Sequence, residues 1–192
     1  MISSTLLFLL FGMTVIDADL AMQKKLEVKA LLELANHNAT FAVDPVLKTE
    51  GIIELIEEEA LERFALRMRE NGGYRQEGGF FLPSPASITT DPVAFTAKYV
   101  DFWHWQRDLH LSLKYTGDSL RIEQAEWGEE THPSGGHITF HLTDEKGKEL
   151  TIAPKKMIGP SLIAVAYVRD RPFSPLLPDH AFPVVSIEEV KH

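Results

Sequence analysis

The chain predicts an α+β fold: a long N-terminal hydrophobic helix, a second amphipathic helix, then a C-terminal antiparallel β-sheet domain. Three observations predict it. Residues 2–39 contain no proline and only one glycine, Gly12. Ile52, Ile56, Ala60, Phe64 and Met68 recur at i, i+4 through the glutamate-rich stretch that follows, the period of one helix face. From Phe80 onward, alternating and aromatic-rich runs are separated by turn signals at Thr116-Gly117-Asp118, Pro133-Ser134-Gly135-Gly136 and Asp144-Glu145-Lys146-Gly147. The expected segmentation is a helix over 1–40, an amphipathic helix with its linker over 41–79, and a β domain with a proline-rich tail over 80–192.

The first helix divides in character. Residues 2–16, ISSTLLFLLFGMTVI, are apolar nearly all round, as expected of a helix buried on every side. Residues 17–39 are amphipathic, with Leu26, Ala30 and Leu34 on one stripe, flanked by Leu31 and Ala35, and Lys24, Lys25, Glu27, Lys29 and Glu33 elsewhere. As one rod the segment is roughly 55 Å long. No base precedes the apolar run, whose first base is Lys24, whereas a secretory signal carries a positive flank. The expectation is a basic leader removed just before Met1. About 15 apolar residues precede Asp17, against the ~20 that a bilayer span needs. Extending a span to Met22 supplies the length and sets Asp17 and Asp19 at the far interface.

Asn36 to Asn38 and the Asp44-Pro45 pair end the rod, the latter reading as a turn or as an N-cap with proline at N1. A second helix is expected over 50–71, stopped by Asn71-Gly72-Gly73. Its Glu50, Glu54, Glu57, Glu58, Glu59 and Glu62 read as a solvated face. Strands are expected over 94–105, 109–115, 119–127, 137–142, 148–153 and 160–168. PSLIAVAYV is the most apolar and should be a central strand buried on both faces. The last stretch, with Pro172, Pro175, Pro178 and Pro183, should be extended. The Gly72-Gly73 and Gly78-Gly79 pairs bracket a loop that reads as a hinge between helices and β domain.

Composition excludes several function classes. Net charge is −9, which argues against nucleic-acid binding and against attachment to anionic lipid through a basic patch. The absence of cysteine removes disulfides, thiolate metal sites and cysteine nucleophiles. No nucleophile-elbow, phosphate-loop or dinucleotide pattern occurs. His137 and His141 in HITFH invite a metal reading, but in a strand they lie about 13 Å apart. The Trp103-His104-Trp105 trio reads as core or subunit packing ahead of a sugar-binding surface. Asn38-Ala39-Thr40 fits the glycosylation triplet. An enzyme, a metal and a cofactor are therefore not expected.

The order of parts resembles the TadE/TadG-like, pilin-like proteins associated with tight-adherence pili. The resemblance rests on VIDADLAMQKKLEVKALLELA (15–35), where Asp17 matches the acid after the apolar segment, Lys24, Lys25 and Leu26 the basic and leucine part, and Ala30 and Ala35 the alanine part. DPVLKTEGIIELIEEEALERFALRMRENGG (44–73) resembles the acidic second helix of Gram-positive members. The resemblance covers about the first 70 residues. It implies a structural subunit of an extracellular pilus-like filament, with a membrane-inserted precursor, a prepilin peptidase, assembly machinery and copies of itself as partners. The alternative is a single-pass membrane-anchored surface-binding module that does not polymerise.

Filament contacts would come from Met1, Ile2, Leu6, Leu7, Leu9, Leu10, Phe11, Met13, Val15 and Ile16. The chain departs from the usual pilin pattern in having Ser3, Ser4 and Thr5 where an early glutamate is common. The Met1 amine then needs another partner, with Asp17 or Asp19 of a neighbour as candidates and Lys24 and Lys25 in the same charged band.

Overall fold

A computed structural model describes residues 2–172, 174, 177 and 179–191, with the backbone alone given for residues 2–6. Helix α1 (Ile2–Ala39) is one unbroken rod, as the lack of internal proline dictates. Two helices follow, α2 (Pro45–Thr49) and α3 (Glu57–Gly72), where the i, i+4 pattern predicts one helix over 50–71. Asp44 caps α2 by accepting the Val46 and Leu47 amides, with Pro45 in the first turn. Gly51, at φ +81°, takes the chain out of the helix. Residues 52–56 then form an extended connector beside the end of α1. Asp44 N–H donates to Glu54 O, Ile56 N–H donates to Ala42 O, and Val43 and Leu55 form a bridge. Helix α3 begins where Glu57, Glu58 and Glu59 place three carboxylates on its positive end, and it stops at Gly73 in the left-handed conformation.

Among the described residues nine strands follow: β1 (Arg75–Glu77), β2 (Phe80–Leu82), β3 (Val93–Val100), β4 (Arg107–Tyr115), β5 (Leu120–Thr131), β6 (His137–Thr143), β7 (Glu149–Lys156), β8 (Ser161–Asp170) and β9 (His180–Glu189). They form two sheets, of order β1-β2-β3-β8-β9 and β5-β4-β6-β7. The Gly78-Gly79 pair turns the β1–β2 hairpin instead of acting as a hinge. Residues 101–106 leave the expected 94–105 strand as a turn. The tail, expected to be extended and to run over the sheet or a neighbouring subunit, supplies β9, an edge strand paired along its whole length with β8. Pro183 is tolerated there because an edge strand can turn its missing N–H outward. Pro175 and Pro178 lie outside the described residues.

Among the described residues every strand pair is antiparallel but one: β4 and β6 run parallel, with Leu109 opposite Ile138 and Lys114 opposite Thr143. Two glycines make this crossing possible. After β5 the chain passes beneath the start of β4, and Gly136 N–H donates to Trp105 O. A Cβ on Gly136 would meet Arg107 O at 2.1 Å, and one on Gly135 would meet Met157 O at 1.8 Å. Gly135 also holds φ at +101°. Only a residue without a side chain fits such backbone contacts.

The layers follow from β8. Its residues alternate between two cores. Leu162, Ala164, Ala166 and Val168 face Val28, Leu32 and Ala35 of α1 and Phe64 and Met68 of α3. Ile163, Val165 and Tyr167 face Leu111, Leu113, Ile138 and Phe140 of the second sheet. The order is helices, five-stranded sheet, four-stranded sheet, and SLIAVAYV is central and buried on both faces as its composition predicts.

A membrane-inserted precursor does not fit this architecture. No helix among the described residues is long and apolar enough to cross a membrane. Asp17 and Asp19 interrupt the apolar run before it reaches a bilayer's thickness, and a carboxylate in hydrocarbon costs several kcal/mol. The expected extracellular localisation through such a precursor is therefore corrected.

Phe64 joins the helix layer to the sheet, stacked on Phe95 at 4.7 Å and tilted against Phe81 at 5.8 Å. Phe64→Ala should destabilise the fold by about 3–5 kcal/mol. The shift in urea midpoint, at unchanged slope, measures it.

Candidate functional site

The two halves of α1 differ in what they touch. From Asp17 onward the helix is held on β8 and β9 by a series of polar contacts. His180 Nε2 lies 2.6 Å from Asp17 Oδ2. Lys24 Nζ donates to Asp170 Oδ1 at 2.6 Å, and Lys25 lies over the Phe182 ring at 5.7 Å. Asn36 Nδ2 donates to Leu162 O and to Ser186 Oγ, and His37 pairs with Glu188 at 3.4 Å. Asp17 to His37 spans about 30 Å of helix and His180 to Glu188 about 26 Å of strand. The matching lengths let one helix run beside one strand from end to end.

Before Asp17 the helix projects past this attachment for about 22 Å. Its apolar side chains stand in solvent: Phe8 is 73% exposed, Phe11 69%, Leu7 68%, Leu9 58% and Ile16 57%. Leu10 and Val15 are also exposed, and Met13 is half-buried. A continuous patch of this kind marks an interaction surface. Met1 lies outside the described residues, as do the side chains of Ile2 and Leu6.

The charged band is arranged differently from the expectation. Asp17 is 5% exposed and bonded to His180 of its own chain, and Lys24 is engaged by Asp170. Asp19 is the exposed carboxylate of the pair. Sequence reading passed over Phe8, the most exposed apolar side chain of the patch, and had no signal for His180 or Asp170, which lie over 140 residues from their helix partners.

Other candidates resolve into structure. His137 and His141 both lie on β6, and no group of His, Asp or Glu among the described residues is arranged to hold a metal ion. Of the aromatic trio, Trp105 packs on the second core, His104 lies against the Trp127 ring at 5.0 Å and beside Asp101, and Trp103 is exposed at the tip of the turn. A cavity of about 380 Å³ opens among Phe80, Leu82, Asp91, Tyr115, Asp118, Arg169, Arg171 and Asp179. Its arginines already face carboxylates of the same chain, Arg171 with Asp91 and Arg169 with Glu145. Burial pushes the nearby Tyr167 hydroxyl up to about 12, so it stays protonated at neutral pH.

Asp108 ties down the crossing loop. It accepts the His137 amide at 2.7 Å and lies 3.5 Å from the His132 ring and 3.7 Å from the His137 ring. The amide bond, with these imidazoles and His110, holds its carboxyl below the ordinary value of 3.8, against a smaller opposing effect of burial.

No protein-family model, no characterised protein and no solved structure matches this chain.

Two outcomes follow from these contacts. Lys24→Met leaves the buried Asp170 carboxylate without its cation and should cost about 2 kcal/mol, read as a lower urea midpoint and faster amide exchange over residues 17–27. For Asp108, the unfolded chain binds the proton more readily than the folded chain. Its contribution is present above about pH 4 and lost as pH falls through its depressed native value. Asp108→Asn should lower the urea midpoint at neutral pH and flatten the acid limb of midpoint against pH.

Proposed function

We propose that this chain is a structural subunit that assembles with copies of itself by packing the apolar first half of α1 against the same segment of neighbouring copies. The observation that carries this reading is the exposure of Leu7, Phe8, Leu9, Phe11 and Ile16 on a helix that its other half fixes to the sheet. Burying a large apolar side chain is worth about 1.5–3 kcal/mol, so the five together supply on the order of 10 kcal/mol. Identical helices offer each other equally apolar surroundings, and repeated contacts that do not close into a ring build a filament. The docked half of α1 sets the direction in which the apolar half leaves the body, so neighbours meet helix to helix with their β sheets outside. The resemblance of residues 15–35 to TadE/TadG-like pilin-like proteins supports the same arrangement.

In detergent-free buffer the chain should sediment as large species and show filaments by electron microscopy. Phe8→Asp with Phe11→Asp places carboxylates in the proposed interface at several kcal/mol each. The double variant should sediment as a monomer with an unchanged circular-dichroism spectrum and urea midpoint. A monomeric wild-type chain at tens of micromolar overturns the reading.

A further inference from the structure

The four-stranded sheet has two long edges, β5 and β7. Strand β5 spans 12 residues and β7 spans 8. Exposed edges of this length are templates for pairing with another chain. Both strands run antiparallel to a partner, β5 to β4 and β7 to β6, while β4 and β6 are parallel. It follows that β5 and β7 point the same way. A copy displaced along the sheet brings its β5 beside this β7 in parallel orientation, as β6 already lies beside β4.

The charges on the two edges are matched in height. Following the register across the sheet, Trp127 stands level with Leu109, Ile138 and Lys155. Arg121 stands level with Lys114, Thr143 and Glu149. The far end of β5, where its pairing with β4 is interrupted by a bulge, therefore carries Glu126, Glu129 and Glu130 on either side of Trp127, at the end of the sheet where β7 carries Lys155 and Lys156, and the near end sets Arg121 level with Glu149. Displacement along the sheet puts acid opposite base at both ends. The acidic end is exposed at Glu126, Glu129, Glu130 and Thr131, whereas at the other end Leu120 is buried and Phe80 and Leu82 of β2 border the cavity beside Tyr115 and Asp118. Lys156 Nζ also donates to Ser134 Oγ at 3.2 Å at the edge itself. Pro154 falls where the β6–β7 register shifts, a position at which a missing N–H is tolerated.

We infer that β5 of one copy adds to β7 of the next, continuing the four-stranded sheet from subunit to subunit with Glu126, Glu129 and Glu130 facing Lys155 and Lys156. The partner is a second copy of this chain, and the contact is heterologous, so it propagates instead of closing. The inference deepens the self-assembly reading and rests on a surface separate from the apolar helix.

The absence of native cysteine allows a direct test on the full chain. Glu129→Cys and Lys156→Cys together place one thiol on each edge, separated within the chain by three strand spacings, about 14 Å, too far for an internal disulfide. Mild oxidation should give a ladder of multimers on a non-reducing gel, while either single-cysteine variant gives no ladder. A second arm reverses the charges. Glu129→Lys with Glu130→Lys, or Lys155→Glu with Lys156→Glu, should weaken self-association at least about tenfold, and an equimolar mixture of the two variants should restore it. A ladder with restoration supports the edge contact even if the helix variants leave assembly unchanged. Assembly that depends on Phe8 and Phe11 but gives neither ladder nor restoration overturns the edge contact and leaves the helix reading standing. Charge-reversed variants that aggregate more than wild type would show that these charges protect the edges, and would also overturn it.

Discussion

The burial of β8 on both faces is the constraint on which the rest of the structure depends. A strand reading Ser-Leu-Ile-Ala-Val-Ala-Tyr-Val has no side to give to water. One face must be covered by helices and the other by a second sheet, and the two cores meet these demands with separate sets of residues. The small side chains on the helix side, Ala164 and Ala166, allow α1 close approach through Ala35 and Leu32. The bulkier Ile163, Val165 and Tyr167 fill the space between the sheets.

This constraint accounts for the two characters of α1. One face of its second half, Val28, Leu31, Leu32 and Ala35, packs on β8, β9 and α3, whereas Leu26 and Leu34 of the stripe expected from the sequence stand exposed, and the polar contacts from Asp17 to His37 set its position along the strand. Asn36 is the most deeply placed of these, fully buried and bonded to the backbone of β8 and the side chain of Ser186 in β9. The helix continues beyond the last strand residue available to it. Among the described residues its first half therefore has neither sheet nor second helix beneath it, and its apolar side chains from Leu7 to Phe11 stand exposed. Attachment of one half to the sheet sets the direction in which the other leaves the body.

The second sheet has the complementary problem. Its inner face is apolar and satisfied, so whatever it contributes to function must come from its polar face and its edges. The parallel β4–β6 pair determines how those edges relate. Had the chain after β5 turned back beside β5, the order of strands and the charges at the edges would both differ. The crossing depends on the absence of side chains at Gly135 and Gly136 and on Asp108 holding the His137 amide. Two glycines that read in sequence as an ordinary turn thus decide which residues lie on the edges of this sheet.

Local chemistry made much of the fold legible in the sequence: the unbroken α1, the Asp44-Pro45 cap, the Gly73 stop, and the positions of β4 to β8. Each is dictated by backbone conformation or by the period of apolar residues within a few turns or strands. The break between α2 and α3 was not legible, because the i, i+4 pattern through Ile52 and Ile56 is equally served by an extended connector once residues 42–44 are there to bond it. Nor was β9, whose prolines masked a strand that only β8 stabilises. For the candidate site, the sequence by itself determined that residues 2–16 are uncharged and rich in apolar side chains from Leu6 to Ile16, and that Asp17 ends the run. The tertiary structure alone decided that Leu7 to Phe11, Val15 and Ile16 stand exposed, that Asp17 and Lys24 are taken by His180 and Asp170 of the same chain, and that the two sheet edges carry opposite charges at the same end of the sheet. These depend on contacts between residues far apart in the chain, and a periodicity read along the chain carries no information about them.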